Sequence, residues 1–135
     1  MTGFRAVNPP GWKRPMGYSN GLVGRGTFVF VSGQFGWNAQ QVFESDDFIP
    51  QLRQALANTV AVLAAAGAKP EHIARMTWYV TDKRKYLAGL AEVGAVWREM
   101  IGRHFPAMTL VEVSALLEDR ALIEIETTAV IPDPA

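Results

Sequence analysis

The chain has 135 residues, 49% of them apolar, which suits one domain over 1–135 with a core that needs no covalent staple. Thirteen basic residues cancel thirteen acidic ones, which leaves none of the basic stripe of a nucleic-acid binder. There is no cysteine for a disulfide or a thiolate, no apolar leader in Met1–Arg5 and no apolar helical run longer than Val60–Ala66, so the expectation is a soluble, cytoplasmic protein that spans no membrane.

Residues 8–26 carry Asn8-Pro9-Pro10-Gly11, Pro15, Gly17, Gly21, Gly24 and Gly26. Proline fixes φ and glycine frees it, so this segment is expected to run over a surface as loop, pinned by Trp12 and Tyr18, with room for one extra strand. Thr27–Val31 is β-branched and aromatic and reads as a strand that ends at Ser32-Gly33-Gln34. Ser45-Asp46-Asp47 offers an N-cap and first-turn acids for a helix over 48–66. In it Leu52, Leu56, Thr59 and Leu63 recur at helical spacing, Pro50 is tolerated near the start, and Gly67 ends it. Met76–Val80 reads as a second strand. Asp82 caps a second helix with Tyr86, Leu90, Val93 and Trp97 on one face and Gly102 near its end. Met108–Leu116 and Leu122–Ile131 read as two more strands joined by a short acidic turn at Glu118-Asp119.

That order predicts an α+β fold, a mixed sheet with both helices packed on one face. Side chains alternate along a strand, so Ile123, Ile125, Thr127, Ala129 and Ile131 should face the helices. Leu122, Glu124, Glu126, Thr128 and Val130 then share the other face, which is too mixed for plain solvent and is expected at or near a subunit interface. Glu112, between Val111 and Val113, reads as a buried, hydrogen-bonded acid. The four tryptophans, Trp12, Trp37, Trp78 and Trp97, read as core or interface residues. Several chemistries drop out on pattern. Ser32 has no nucleophile elbow. His72 and His104 stand alone without ligand spacing. The Gly21/Gly24/Gly26 run precedes a strand, not a helix, and is no dinucleotide loop.

Five segments, in order and at their spacing, resemble a known family: Gly17-Tyr18-Ser19; Val31-Ser32-Gly33-Gln34; Asn58 through Gly67; Met76 through Asp82; and Phe105-Pro106-Ala107 through Val113 with Ile123-Glu124-Ile125-Glu126. Together, over roughly residues 15–131, they look like the Rid family, also called the YjgF or reactive-intermediate deaminase family. The resemblance implies a chorismate-mutase-like (YjgF-like) α+β fold, a homotrimer and a small-molecule ligand in a cleft between subunits. It implies hydrolysis of enamines and imines to carbonyl compounds and ammonia, with no metal or organic cofactor. Carried onto this chain, it implies a cleft tyrosine at Tyr18, a lining pair at Ser32 and Gly33, a ligand-holding backbone amide at Leu110, and a glutamate at Glu124 that positions or activates water. A family position that is usually asparagine falls near Leu90 or Ala91.

The chain departs from that pattern at one place. The family's carboxylate-binding arginine follows Phe-Pro-Ala, and here that residue is Met108. A guanidinium forks onto a carboxylate through two charge-assisted hydrogen bonds, whereas a thioether presents an apolar surface. At roughly 1.5–3 kcal/mol for each such bond, the change costs a carboxylate ligand about two or more powers of ten in affinity. The expectation is therefore a Rid-like deaminase with altered substrate preference, not the usual 2-imino acid. The alternative is a non-catalytic trimer that binds a small metabolite in the cleft. Ribonuclease activity, ascribed to some relatives, is argued against by the neutral charge. Beside these sharper readings stand plainer ones: Glu124 as a surface strand acid, Tyr18 as a loop anchor. Arg25, Arg98 and Arg103 are candidates to replace the missing cation, and the helix dipole suffices to explain Arg98 and Arg103.

Overall fold

The computed structural model describes residues 3–134; Met1 and Thr2, on which part of the leader reading falls, lie outside them. Two short strands, β1 (Arg5–Val7) and β2 (Gly21–Val23), pair antiparallel and bracket the Pro/Gly-rich loop. Then come β3 (Gly26–Phe35), α1 (Phe48–Ala65), a single 3-10 turn (Pro70–His72), β4 (Ile73–Val80), α2 (Lys83–Ala88), α3 (Leu90–Met100), β5 (Ala107–Glu112) and β6 (Ile123–Pro132). The main sheet runs β3-β6-β4-β5, with β6 antiparallel to both neighbours and β5 parallel to β4. This is the expected mixed α+β sheet. Among the described residues no helix is long and apolar enough to cross a membrane.

Alternation sorts β6 as the pattern predicts. Ile123, Ile125, Thr127 and Ala129 are buried against α1 and its neighbours, while Glu124, Glu126 and Thr128 keep exposure on the other face. Leu52, Leu56, Thr59 and Leu63 form the buried stripe of α1, and Thr59 returns its hydroxyl to the Ala55 carbonyl at 2.9 Å. The helix stops where Gly67 takes φ +82°. There the Gly67 N–H bonds Ala64 O at 3.0 Å and the Ala68 N–H bonds Leu63 O at 2.8 Å, a Schellman stop.

Several local expectations are corrected. The acids at 46–47 precede α1, and Asp47 sits at the N-cap position without a side-chain bond; Ser45 Oγ instead accepts from the Asp47 N–H at 3.0 Å. The second helix is two, broken at Gly89, although Asp82 does cap the first by accepting from the Arg84 N–H. β5 ends at Glu112, and a long loop rather than a short turn leads to β6. Glu112 is exposed, not buried: it shares the helix-side alternation of Met108 and Leu110 but is the last residue of the edge strand β5, and its carboxylate accepts from the Lys83 N–H at 3.0 Å and so caps α2 across the chain. Trp12 and Tyr18 are exposed and do not pin the N-terminal loop. Hydrogen bonds do: Asn20 to Asn8, and Ser19 to the Pro106 and Phe105 carbonyls.

Gln51 is a buried polar group with no obvious signal in the sequence. Its amide donates to Ser45 O and Arg120 O and accepts from the Leu122 N–H at 2.8 Å, tying the β5–β6 loop to α1. Gly36 is required beside the same residue, since any side chain there would overlap the Gln51 backbone.

Candidate active-site cleft

Met108 and Leu110 stand in register with Met76 and Trp78, so they point to the helix side of the edge strand β5. There they form the floor of a cleft of about 580 Å³. Tyr86, Leu90, Val93 and Trp97 line its opposite wall, so the break at Gly89 leaves that face continuous. Of Leu90 and Ala91, near which the resemblance puts a usually polar position, Leu90 lines the cleft and adds an apolar side chain to it. Tyr18 and Phe105, both exposed, line its mouth. Tyr18 reaches it because Ser19 bridges to Ala107 at the start of β5 and donates its hydroxyl to Phe105 O at 2.8 Å. Trp78 belongs to the lining, is 2% exposed, and has no hydrogen-bond partner for its indole N–H among the described residues. The sequence reads Trp78 as a core or interface residue and carries no sign of that orphaned donor.

Ser32, Gly33 and Glu124 lie elsewhere. A register shift between Val31 and Gln34 bulges β3 at Ser32-Gly33, opposite Glu126. Any side chain at Gly33 would overlap the Glu124 carboxylate, so glycine is what lets that carboxylate lie across the bulge. Glu124 pairs with Tyr79 in β4, on the face away from the helices. Within one chain the sheet therefore separates Glu124, Ser32 and Gly33 from Tyr18, Met108 and Leu110. Burial raises the Glu124 carboxyl above the ordinary glutamate value, and the like charge of Glu126 raises it further. Replacing Glu126 with glutamine is expected to move the Glu124 titration to lower pH while leaving it above the ordinary value, since the burial remains; a carboxyl-resolved NMR titration reads this.

The open face that carries Glu124 is apolar along its β3 edge. Phe28 and Phe30 are 57% and 74% exposed and meet edge to face at 6.0 Å. Arg75, Thr77, Tyr79, Glu126 and Thr128 make its centre polar. His72 and His104 are structural: His72 Nδ1 accepts from the Lys69 N–H at 3.0 Å, and His104 Nε2 lies 2.6 Å from Ile73 O. Among the described residues no group of three His, Asp or Glu is placed to hold a metal ion. Of the candidate cations, Arg25 is exposed, 3.9 Å from Asp133 and not part of the cleft lining, whereas Arg98 and Arg103 both line the cleft.

The family model described as endoribonuclease L-PSP matches residues 12–131. A RutC family protein of Pyrococcus horikoshii is 33% identical over 117 residues, 86% of this chain and 89% of the relative. A 2-iminobutanoate/2-iminopropanoate deaminase of Salmonella typhimurium is 36% identical over 111 residues, 80% and 83% of the two chains. Among solved structures, a Rid family protein of unknown function from Yersinia pestis superposes with a TM-score of 0.84 at 31% identity, over 95% of this chain and 98% of that one.

Proposed function

The chain belongs to the Rid family, whose model is described as endoribonuclease L-PSP, and from that premise we propose that it is an enamine or imine deaminase with altered substrate preference. Its site is completed only when the open sheet face of one copy meets the helix-side cleft of another. The observation that carries this reading is the separation of the two half-sites by the sheet. Tyr18, Met108 and Leu110 need Ser32, Gly33 and Glu124 from a second copy, and the exposed Phe28 and Phe30 give the open face something to bury. A homotrimer with three such clefts satisfies each half-site once per chain. Relatives at 36% identity named 2-iminobutanoate/2-iminopropanoate deaminase support the reaction class.

The chemistry asked of the site is small. Water adds to the C=N carbon while Glu124 takes its proton, and the carbinolamine collapses to a carbonyl compound and ammonia. Among the described residues none donates a hydrogen bond to Glu124, so its carboxylate is free to hold that water. Having taken that proton, Glu124 can return it to the departing nitrogen. Met108 in place of an arginine specifically favours a second reading, a non-catalytic trimer that binds a small metabolite in the same cleft.

Ammonia release from freshly generated 2-imino acids decides between them, run on the wild type and on Met108→Arg, with light scattering on both. The expected result is a mass three times that of the chain and wild-type release above the spontaneous rate, with small imino acids gaining in Met108→Arg. No release from either protein across small, branched and aromatic imines overturns the deaminase reading in favour of the binding protein. A monomer by scattering overturns the split site.

A further inference from the structure

Arg98 and Arg103 are the two arginines in the cleft lining, and among the described residues neither has a carboxylate partner. Arg25, Arg53, Arg84 and Arg120 each have an acid within ion-pair reach, and Arg5, Arg14 and Arg75, which have none among the described residues, lie outside the cleft lining. Arg98 lies one helical turn after Gly94, which also lines the cleft. A β-carbon built at Gly94 would touch Arg98 Nη1 at 3.4 Å, so the guanidinium lies back over the one position of that turn with no side chain. Glycine inside a helix costs about 1 kcal/mol relative to alanine, and here it leaves a path for a cation along the cleft wall. Arg103 follows Gly102, whose φ of +94° turns the chain out of α3. The next residue is fixed on both sides: the Trp97 indole donates to His104 O at 3.1 Å, and His104 Nε2 sits on Ile73 O. Arg103 therefore projects from a held segment. The helix dipole accounts for Arg98 in the last turn of α3, but Arg103 lies beyond the helix.

The third donor is the buried Trp78 N–H, which has no partner among the described residues. A buried donor left unpaired is costly, and an acceptor on a ligand relieves it. Met16, Leu90, Val93, Phe105, Met108 and Leu110 give the lining its apolar part, with the hydroxyls of Tyr18 and Tyr86 beside them. A volume of about 580 Å³ is ample for an aromatic or branched side chain.

We propose that Arg98 and Arg103 supply the anion anchor that Met108 does not, so that the cleft takes a carboxylate-bearing imine or enamine with a bulky apolar or aromatic side chain. This rests on the deaminase reading for the reaction but not for the binding. The carboxylate sits at the arginine end of the cleft and the side chain lies over Met108 and Leu110, an arrangement displaced from the fork that an arginine at 108 would make.

The test uses two stable probes of the same shape, phenylpyruvate and phenylacetone, which differ by the carboxylate. Calorimetric binding is measured on the wild-type oligomer, on Arg98→Gln, on Arg103→Gln and on the double variant. Ammonia release from the imine of phenylalanine is followed in parallel. Phenylpyruvate is expected to bind at least about tenfold tighter than phenylacetone, and each single variant to lose about tenfold for phenylpyruvate alone, the worth of one charge-assisted hydrogen bond. Raising salt should weaken phenylpyruvate and leave phenylacetone unchanged. Equal binding of the two probes, or equal loss of both in the variants, overturns the anchor. Selective phenylpyruvate binding without ammonia release upholds the anchor and overturns the deaminase. Ammonia release that is undiminished in the double variant overturns the anchor and leaves the deaminase standing.

Discussion

Glu124→Gln is expected to cut imine hydrolysis about 10²–10⁴-fold, the usual worth of a positioned general base, with little change in ligand affinity. The same substitution is expected to stabilise the fold at neutral pH. The folded-state carboxyl titrates above the ordinary glutamate value, so the folded chain holds its proton more tightly than the unfolded one. Stability contributed by that group is therefore greatest at low pH and is lost as pH rises through the window between the ordinary and the raised value. Glutamine removes the charge and with it the loss. Steady-state ammonia release and urea midpoints measured across pH on one preparation give both signs. A glutamate that merely braced the fold would show the reverse pair: activity retained and stability reduced. The acid limb of kcat/KM should follow the same group, and Glu126→Gln should shift that limb to lower pH by removing the neighbouring like charge.

Gln51→Leu is expected to destabilise the protein by about 2–4 kcal/mol, since a buried amide that makes three hydrogen bonds is lost and its partners are stranded. Leucine fills most of the volume, so the cost is polar rather than a cavity. Two of the stranded partners, Arg120 O and Leu122 N–H, flank Ala121 at the entry to β6. The loop 113–122 should loosen first, and Glu124 lies just beyond it. Urea denaturation at fixed protein concentration measures the loss, because any oligomer makes the midpoint depend on concentration. Hydrogen exchange at Leu122 is the local readout. An unchanged midpoint would mean that the loop is held by its other ties: the Thr81 N–H on Leu122 O at 3.2 Å, Ala121 and Leu116 packed with Phe35 and Phe43, and the exposed, weak ion pair of Arg120 with Asp46.

Much of the fold was legible because it rests on periodicity. The apolar stripe of α1, the two-residue alternation of β6 and the glycine stop at 67 each follow from local geometry, and the structure keeps them. The expectations that failed depend on partners distant in sequence. Glu112 looked buried beside two valines, yet it lies on a sheet edge and serves the N-terminus of α2. Trp12 and Tyr18 looked like anchors, yet the loop is held by Ser19 and by Asn20 with Asn8. Gln51 and the unpaired Trp78 N–H carry no pattern at all.

For the candidate site the division has the same cause. The family resemblance carried by the sequence singled out Tyr18, Ser32, Gly33, Met108, Leu110 and Glu124 as the residues to examine and showed its arginine to be missing, while alternation alone put the acids on one face of the last strand. Only the tertiary structure decided that these residues form two groups on opposite faces of one sheet, that Arg98 and Arg103 rather than Arg25 border the cleft with Met108, and that Gly33 gives way to the Glu124 carboxylate. Strand alternation is a local property, set by a period of two along the chain. Which faces and which helix ends come together depends on register between strands far apart in sequence and on the path of the loops, and no local period encodes either.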